Sequence, residues 1–364
     1  MKKQVLVIVS SKPGSAIEQR AIGFFSSILS SFDVTIIKRK SSRGRDFCRF
    51  WLEIYNKKPD IIYLLDTSIA GAYAVIFWRL IRSIPFIVDT GDFAYLLARK
   101  LRTPGPIGRA AILFAESMSM RLACVIVVRG SFHREMLAPR LQRKTSVIRD
   151  ATYTGRYEVE SKNVADADLK ICMVGTLNYD HERQTCYGHD LITAISYLKD
   201  RPVSAYIVGD GEGLEFLRLE CKRLAVEDKT HFVGRIAYDA LPNFLAGMDC
   251  CVSTQSNDPI GNARTTGKLV EYIAAGKFIL ASDVGEAKII LPEIMRIAYN
   301  GSYDPEYPKA LAERISKILA LGRAERVSIG LELKQRWAHL LDYSCAAMAA
   351  NDLIELCLRD SYGS

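Results

Sequence analysis

Short, continuous apolar runs recur along the chain, and segments with helical periodicity lie between them. Such runs occupy residues 5–9 and 61–65 in the first half, and residues 169–174 and 250–253 in the second half. An apolar run of this length indicates a strand that is covered on both faces, as in a parallel sheet between helices. The pattern therefore predicts an α/β fold, and its restart after a polar stretch predicts two domains of this kind.

The length of 364 residues also agrees with about two domains. Residues 153–168 are polar and hold few large apolar side chains, so we place the linker between the domains there. The predicted boundaries are an N-terminal domain at residues 1–155, a linker at 156–168, a second domain at 169–335 and a C-terminal helix at 336–364.

Composition and charge narrow the class of protein. Apolar residues make up 49% of the chain and charged residues 25%, as in ordinary globular proteins. The nine cysteines include no C-x-x-C pair, which argues against a disulfide framework or a zinc site and fits a reducing cytoplasm. The net charge of +8 suits an anionic membrane surface, a phosphorylated substrate or nucleic acid. No nucleic-acid-binding motif accompanies it, so we expect no nucleic-acid partner.

The most hydrophobic window covers residues 69–88. Arg79 and Arg82 lie within this window, and Pro85 interrupts it. We therefore predict a buried helix followed by a strand, not a membrane span. The chain opens without the basic and apolar pattern of a signal peptide. We expect a cytoplasmic protein, with peripheral binding to the inner face of the membrane as one option.

One segment predicts a binding site for an anion and a sugar. A polar, glycine-containing turn at residues 265–267 opens a helix, Gly276 ends it, and an apolar run at residues 278–281 follows. The free backbone N–H groups and the dipole at a helix start make an anion site. Lys268 in the first turn would add a positive charge. Glu271, about one turn further on, could accept hydrogen bonds from a diol such as ribose.

This segment resembles the donor-binding segment of the retaining glycosyltransferases of family 4, which have the GT-B fold. The residues that carry the resemblance read K-L-x-E-Y-x-A-A-G-K-x-I-L-A-S-D, and the most similar branch of the family reads P-x-K-L-x-E-Y-M-A-x-G-K-P. Three motifs precede the segment in the family's order: V-G-D-G-E-G, F-V-G and L-P-x-F-L-A-x-M-D. The resemblance implies two Rossmann-like domains that face each other across a cleft. It also implies a C-terminal helix that crosses back to the N-terminal domain.

The resemblance implies roles for individual residues on the donor side. In the family, the glutamate that matches Glu271 binds the donor ribose and the adjoining helix start binds the diphosphate. Lys268 is the first catalytic candidate, because a cation there would stabilise the leaving group as the glycosidic bond breaks. The further candidate donor-binding residues are Gly175, Gly209, Asp210, Gly211, Gly234, Arg235, Ile236, Arg264, Thr266, Gly267 and Leu269.

Candidates for the sugar and the acceptor lie in the first half of the chain. Asp92 matches an aspartate that lies near the transferred sugar in the family, and it is an orienting or proton-accepting candidate. Gly91 stands where members often have a histidine or an arginine. Arg20 could meet an anionic acceptor or a donor phosphate, or it could be a solvated helix residue. The acceptor-side candidates are Pro13, Gly14, Ser15 and Arg20.

The chain departs from the family at three positions. Ala263, Thr176 and Tyr187 stand where many members have a glutamate, an arginine and a lysine. The diphosphate would then be held by one cluster of cations. Arg183 or His181, in the loop that follows residue 176, could replace the missing cations, so Arg183 is the third catalytic candidate beside Lys268 and Asp92.

We therefore predict a retaining glycosyltransferase that moves a sugar from a UDP or GDP donor to a saccharide or a lipid-linked saccharide. We place it in cell-envelope polysaccharide biosynthesis and expect no metal and no other cofactor. Basic residues flank the glycine- and proline-rich residues 103–108. This loop suits a lipid-linked acceptor or anionic headgroups, or it is an ordinary solvated loop.

Other functions stay open. The lost basic positions are compatible with a catalytically silent GT-B protein that binds a glycan or a partner enzyme, and a sugar-nucleotide epimerase of the same fold is a third option. A nicotinamide-dependent dehydrogenase is poorly supported, because the turn after the first strand lacks G-x-G-x-x-G.

Overall fold

The computed structural model describes residues 2–11, 14–26, 31–159, 168–181 and 183–362. The chain divides into two compact units. Unit 1 comprises Met1–Ala151, Ala263–Thr265 and Asp342–Ser364, and unit 2 comprises Thr152–Asn262 and Thr266–Leu341. No sequence pattern indicated that the short segment Ala263–Thr265 would be grouped with unit 1. The predicted linker lies partly outside the described residues.

Unit 1 contains a six-stranded parallel sheet with the strand order β2-β1-β3-β4-β5-β6. The strands are β1 Gln4–Val9, β2 Asp33–Lys38, β3 Ile61–Leu65, β4 Phe86–Thr90, β5 Val125–Val128 and β6 Thr145–Val147. The strands predicted at residues 5–9 and 61–65 are confirmed by β1 and β3. We expected Asp89 and Thr90 to follow β4, but both belong to it, because they still pair with Val127 and Val128 of β5.

Seven helices of unit 1 follow its strands. They are α1 Ala16–Phe25, α2 Arg43–Lys57, α3 Ile69–Arg82, α4 Ala94–Lys100, α5 Pro106–Leu122, α6 Ser131–Met136 and α7 Pro139–Gln142. The prediction of a buried helix and a strand at residues 69–88 is confirmed by α3 and β4. The predicted loop at residues 103–108 is wrong in its second half, because α5 begins at Pro106, a position that proline favours.

Unit 2 contains a second six-stranded parallel sheet with the order β11-β10-β7-β12-β13-β14. Its strands are β7 Leu169–Val174, β10 Val203–Val208, β11 Thr230–Gly234, β12 Cys250–Ser253, β13 Phe278–Ser282 and β14 Arg296–Ile297. A short antiparallel pair, β8 Tyr179–Asp180 and β9 Thr185–Cys186, was not predicted. Two-residue strands are too short to show a periodic pattern.

The helices of unit 2 lie between and after its strands along the chain. They are α8 His189–Ser196, α9 Leu214–Leu224, α10 Leu241–Ala246, α11 Pro259–Ala263, α12 Gly267–Ala274, α13 Glu286–Ile290, α14 Tyr307–Ala320 and α15 Arg323–Trp337. A 3₁₀ turn at Tyr238–Ala240 precedes α10.

The last helix, α16 Tyr343–Tyr362, belongs to unit 1 and packs against α1. The Tyr343 ring lies directly on Gly23, where a side chain would overlap it, and meets the Phe24 ring edge-on at 6.4 Å. The predicted return of the C-terminal helix to the N-terminal half is therefore present in the structure. Among the described residues, no helix is long and apolar enough to cross a bilayer.

The strand orders identify the edge of each sheet where ligands usually bind. In unit 2 the chain leaves β7 toward β10 on one side, and β12 begins the other side. In open parallel sheets, the carboxyl ends of two such neighbouring strands border a crevice that binds ligands. The corresponding position in unit 1 lies between β1 and β3. The candidate residues of unit 2 can now be compared with the carboxyl end of β7.

Candidate functional site

The helix α12 has one buried face and one polar face. Leu269, Val270, Tyr272, Ile273 and Ala274 are buried in the core of unit 2. Lys268 and Glu271 are partly exposed and lie three residues apart, which puts them on the same side of the helix. The helix ends before Gly276, which has a positive φ of 63°. The predicted helix and its glycine stop are confirmed.

Tyr272 attaches α12 to the end of β7. Its buried hydroxyl accepts a hydrogen bond of 2.9 Å from the backbone N–H of Val174, the last residue of that strand. Thr266, the residue before the helix, is extended, and its hydroxyl lies 3.5 Å from the hydroxyl of Ser253 at the end of β12. The start of α12 therefore lies at the carboxyl ends of β7 and β12, where the strand order places the crevice.

Lys268 lies beside the glycine that follows β7. A Cβ atom on Gly175 would lie 2.7 Å from Lys268 Nζ and 2.8 Å from a ring carbon of Tyr187. The same Nζ lies 3.6 Å from the centroid of the Tyr187 ring, a cation–π contact. Tyr187 thus occupies part of the space around Lys268 where the family resemblance led us to expect a second cation.

Three glycine-containing loops are joined around this position by backbone hydrogen bonds. The N–H of Leu177 donates to the carbonyl of Asp210, and the N–H of Gly209 donates to the carbonyl of Gly234. A Cβ on Gly209 would overlap the Gly175 carbonyl oxygen, and Gly209 has φ of 139°. The candidate residues Gly175, Gly209, Asp210 and Gly234 therefore form one connected edge of unit 2.

Glu271 lies near two tyrosines that the sequence analysis did not include. Burial, and then the Glu271 carboxylate, raise the pKa of the Tyr157 hydroxyl above its ordinary value. The same two causes raise the pKa of Tyr238, whose hydroxyl lies 2.9 Å from Thr152 Oγ1. Tyr238 follows the loop after β11, so it connects Glu271 with the side of the site that contains Gly234. Nothing in the local sequence distinguishes these tyrosines from ordinary core residues.

The other donor-side candidates differ in their solvent exposure. Gly211, with φ of 156°, packs against the Leu177 carbonyl. Arg235 is exposed, and Ile236 and Gly267 are also accessible. Leu269 points into the core, and its N–H donates to the Thr266 carbonyl. A donor contact at Leu269 would therefore have to involve its backbone.

Arg183 is engaged with carboxylates. Its guanidinium lies 3.6 Å from Asp180 and 3.7 Å from Asp258. Asp258 also accepts a hydrogen bond from the Gly261 N–H in α11. These contacts hold the loop between β8 and β9 against the start of α11. The replacement of a missing family cation by Arg183 stays a prediction.

Arg20 forms a buried network in unit 1. Its guanidinium donates to Asp89 at 3.0 Å and to the carbonyls of Ile148 and Arg149 at 2.7 and 2.8 Å. It also lies 3.4 Å from Asp150. Only 2% of Arg20 is exposed, so the alternative of a solvated helix residue is wrong. Arg20 lies on the buried side of α1. Its position in the sequence did not indicate this burial.

The other acceptor-side candidates form the start of α1. Ser15 Oγ accepts a hydrogen bond from the Glu18 N–H, and the Glu18 carboxylate accepts one from the Gly14 N–H. This reciprocal arrangement resembles a capping box and stabilises the first turn. Pro13 lies outside the described residues. A role for these residues toward an acceptor stays a prediction.

Asp92 lies among charged side chains of unit 1. It forms an ion pair with Arg264, another candidate, in the segment grouped with unit 1. A Cβ on Gly91 would overlap the Arg129 guanidinium. Arg129 is mostly buried and lies 3.5 Å from Asp150. Arg129, just after β5, therefore places a cation beside Gly91. Gly91 is the position at which family members often have a basic residue. The sequence analysis missed Arg129.

A cavity of about 300 Å³ lies at the carboxyl ends of β1 and β3 in unit 1. Its lining combines the polar side chains of Ser10, Asp66 and Asp92 with apolar side chains of α4 and α5. A second cavity of similar size lies in unit 2 near Asp249 and Lys277, which precede β12 and β13, so it lies toward the opposite end of the sheet. Neither of these two cavities is lined by Lys268 or Glu271.

Unit 1 should lose stability as the pH rises from about 4.5 to about 7. Burial raises the pKa of Glu116 from 4.5 to about 7 and that of Asp66 from 3.8 to about 6. The folded state therefore binds more protons than the unfolded state in this window, and the free energy of unfolding falls as they leave. For Glu116 the change is at most ~3 kcal/mol. Urea denaturation at pH 5 and pH 8 measures it.

Glu116→Gln provides the control for this prediction. Glutamine stays neutral throughout and can still accept the hydrogen bond of 2.7 Å from the Ala94 N–H. The stability of this variant should depend less on pH than that of the native protein. Equal pH dependence of the two proteins would contradict the assignment.

Comparisons with known proteins identify the fold. Residues 158–336 match the family described as glycosyl transferases group 1. No curated protein sequence matches the chain. Among solved structures, HepE of Anabaena in complex with UDP and glucose is similar at a TM-score of 0.72. It is 17% identical, and the match covers 97% of this chain and 99% of that one.

Two further structures are similar over nearly their whole length. Sucrose-phosphate synthase of Thermosynechococcus elongatus has a TM-score of 0.75 and 16% identity, over 98% of this chain and 99% of that one. A glycosyltransferase from Rickettsia africae has a TM-score of 0.72 and 14% identity, over the same shares of both chains. At such identities the likeness concerns the fold. The chain has the GT-B fold, and its residues 158–336 are similar to the glycosyl transferases group 1 family, which supports a glycosyltransferase.

Proposed function

We propose that the protein transfers a sugar from a nucleoside diphosphate donor with retention of the anomeric configuration. The observation that carries this proposal is the position of Lys268. Its ammonium group lies beside Gly175, at the start of α12 and at the carboxyl end of β7. A diphosphate at this position would meet a full positive charge together with the N–H groups of a helix start.

The chemistry follows from the charge that develops during transfer. When the glycosidic bond breaks, negative charge accumulates on the diphosphate oxygens. Cations and N–H groups that are already in place stabilise this charge without reorganisation. Lys268, Thr266 and Gly267 would perform this role here, with Arg264 close in sequence. We propose no part for a metal ion, because these groups would stabilise the leaving group.

We propose UDP or GDP as the nucleotide, with UDP favoured. HepE, which shares the fold, has been crystallised with UDP and with UDP-glucose. In our proposal the Glu271 carboxylate accepts hydrogen bonds from the ribose, and the loop of Gly234, Arg235 and Ile236 meets the base. Asp92, which lies near Arg129 in unit 1, would orient the acceptor or accept its proton.

The acceptor in this proposal is a saccharide or a lipid-linked saccharide of a cell-envelope polysaccharide, made on the cytoplasmic side of the membrane. The cavity of unit 1 supports it, because its lining offers carboxylates for hydroxyl groups beside the apolar side chains of Leu97 and Ile112. Saccharide binding commonly combines such polar groups with apolar surface.

A calorimetric screen of UDP, GDP and their sugars tests the donor site. We expect binding of at least one nucleotide with its sugar, and hydrolysis or transfer of the sugar when an acceptor extract is added. The absence of binding for the whole set would refute the proposal. Product analysis with donor alone separates transfer from epimerisation, since an epimerase would convert the donor without an acceptor.

Glu271→Ala should weaken UDP binding about 10- to 100-fold, because a hydrogen bond to a charged acceptor contributes about 1.5–3 kcal/mol. Calorimetry with UDP and with 2′,3′-dideoxy-UDP measures the effect. The native protein should prefer UDP, whereas the variant should bind both ligands equally. Glu215→Ala removes an exposed glutamate of α9 in the same unit and serves as the control. Unchanged discrimination by Glu271→Ala would exclude the ribose role.

A second candidate function is a catalytically silent GT-B protein that binds a glycan or a partner. Two observations favour it: a tyrosine ring contacts Lys268, and Arg183 is paired with Asp180 and Asp258. In this case nucleotide binding could persist without turnover. Sugar transfer by the native protein that is lost in Lys268→Ala would exclude this candidate.

A further inference from the structure

Large apolar side chains are concentrated on one part of unit 1. Among the described residues, seven of the 21 exposed large apolar side chains fall within residues 77–114. These seven define what we call the apolar face: Phe77, Leu80, Ile81, Leu101, Ile107, Leu113 and Phe114. Exposed apolar residues that occur singly need no explanation, but a concentration of this kind marks an interaction surface.

The members of the apolar face are neighbours in space. They belong to α3, to the end of α4 and to α5, and these helices pack against one another. The Tyr73 ring lies between two of them, 6.2 Å from Phe77 and stacked on Phe114 at 5.7 Å. The Tyr73 hydroxyl also donates a hydrogen bond to the Ala111 carbonyl of α5. These contacts join the exposed side chains of α3 and α5 into one surface.

The same segment has a net positive charge. Residues 69–122 contain seven lysines and arginines but only three acids. Asp89 and Glu116 are buried, and Asp92 is paired with Arg264. The cations cluster at the ends of α3 and α4 and around α5: Arg79, Arg82, Arg99, Lys100, Arg102, Arg109 and Arg121. This part of the surface therefore combines apolar side chains with positive charge.

Anionic lipid is the partner whose chemistry fits both properties. Apolar and aromatic side chains enter the boundary between headgroups and acyl chains, while lysine and arginine attract anionic headgroups. A second copy of the chain would bring positive charge against positive charge, which disfavours a symmetric dimer through this surface. Because Ile107 is 89% exposed at the first turn of α5, it can enter a bilayer without rearrangement of the core.

We propose that the apolar face of unit 1 docks the protein on an anionic bilayer. The face adjoins the unit 1 cavity, because Leu101 belongs to both and because Thr103, Pro104 and Ile112 also line the cavity. A lipid-linked acceptor held in the bilayer would thereby be presented beside the cavity. This last step rests on the proposed function, whereas the docking itself does not.

Vesicle sedimentation tests the docking. The full chain is mixed with vesicles of phosphatidylcholine alone and with vesicles that contain 30% phosphatidylglycerol. We expect binding to the anionic vesicles that weakens as salt is added, and Arg102→Gln should weaken it about fivefold, since each basic residue near the surface contributes about 1 kcal/mol. Ile107→Glu should abolish most of the binding. An acidic residue in the first turn of a helix favours the helix, so this variant should stay folded.

Glutamate variants of equally exposed residues on other helices test whether the loss of vesicle binding is specific to the apolar face. Leu219 of α9 and Met348 of α16 are as exposed as Leu80, at 59%, 62% and 62%. Leu219→Glu and Met348→Glu should bind vesicles as the native protein does, whereas Leu80→Glu should not. If all four glutamate variants bind equally, or if the native protein prefers neither vesicle, the docking proposal is overturned.

Two further measurements separate the alternatives. Analytical ultracentrifugation shows whether Ile107→Glu converts a dimer into a monomer. A dimer that dissociates, together with unchanged vesicle binding, would assign the face to self-association and overturn the proposal. UDP calorimetry without lipid should give the same affinity for Ile107→Glu and the native protein. A protein that binds vesicles but no nucleotide would refute the proposed function and leave the docking intact.

Discussion

Sugar transfer by Lys268→Ala should fall by about 10²- to 10³-fold in kcat, because one preorganised group that stabilises developing negative charge contributes about 2.7–4 kcal/mol. The loss of affinity for UDP should be smaller, since the charge on the diphosphate grows as the bond to the sugar breaks. Steady-state transfer and UDP calorimetry on the same preparation measure the two effects.

Two variants separate the charge of Lys268 from its packing. Lys268→Met keeps a long side chain over the Tyr187 ring but has no charge, so it should be nearly as inactive as Lys268→Ala. Lys222→Ala removes an exposed lysine from α9 in the same unit and should leave transfer unchanged. An active Lys268→Met protein would show that the ammonium group does not stabilise the leaving group.

Arg20→Met should lower the free energy of unfolding by about 3–5 kcal/mol, because it removes the cation that forms an ion pair with the buried Asp89 carboxylate. Asp89 is fully buried and would keep the hydrogen bond of 3.1 Å from the Tyr63 hydroxyl. The carbonyls of Ile148 and Arg149 would also lose their donor. Such a loss is a large part of the stability of a typical domain. Urea denaturation measures it.

The controls for Arg20 distinguish an unpaired charge from a lost side chain. Adding Asp89→Asn to Arg20→Met removes the unpaired charge and should restore part of the stability. Arg134→Met replaces an exposed arginine of α6 and should change the stability by no more than about 0.5 kcal/mol. A loss below about 1 kcal/mol in Arg20→Met would contradict the importance of the buried pair.

The fold could be predicted because its signals are local. Strands such as β1, β3, β7 and β12 are short apolar runs, and helical spacing between such runs implies parallel crossovers. The same holds for α12, where a polar turn, Lys268, Glu271 and Gly276 are close together in the sequence. The two-residue strands β8 and β9 and the exact start of α5 were not predicted, because such short features carry no periodicity.

Several residues of the candidate site could not be predicted from local sequence patterns, because they come from distant parts of the chain. Arg129, Tyr157 and Tyr238 reach the candidate residues Gly91 and Glu271 from other elements, and no spacing in the sequence joins them. A lone arginine on a helix is usually solvated, so the sequence leaves a solvated Arg20 open beside a role toward an acceptor or a phosphate. Its burial depends on Asp89, 69 residues further along the chain.

Apolar runs were thus sufficient to identify an α/β protein, and the polar turn before Lys268 was sufficient to predict the start of α12. Contacts between residues far apart in the chain determined which charges are buried together, what surrounds the Lys268 ammonium group and where exposed apolar side chains gather. The physical reason is the distance along the chain over which each interaction acts. Backbone conformation responds to neighbouring residues, whereas the cost of a buried charge depends on every side chain that the fold brings near it.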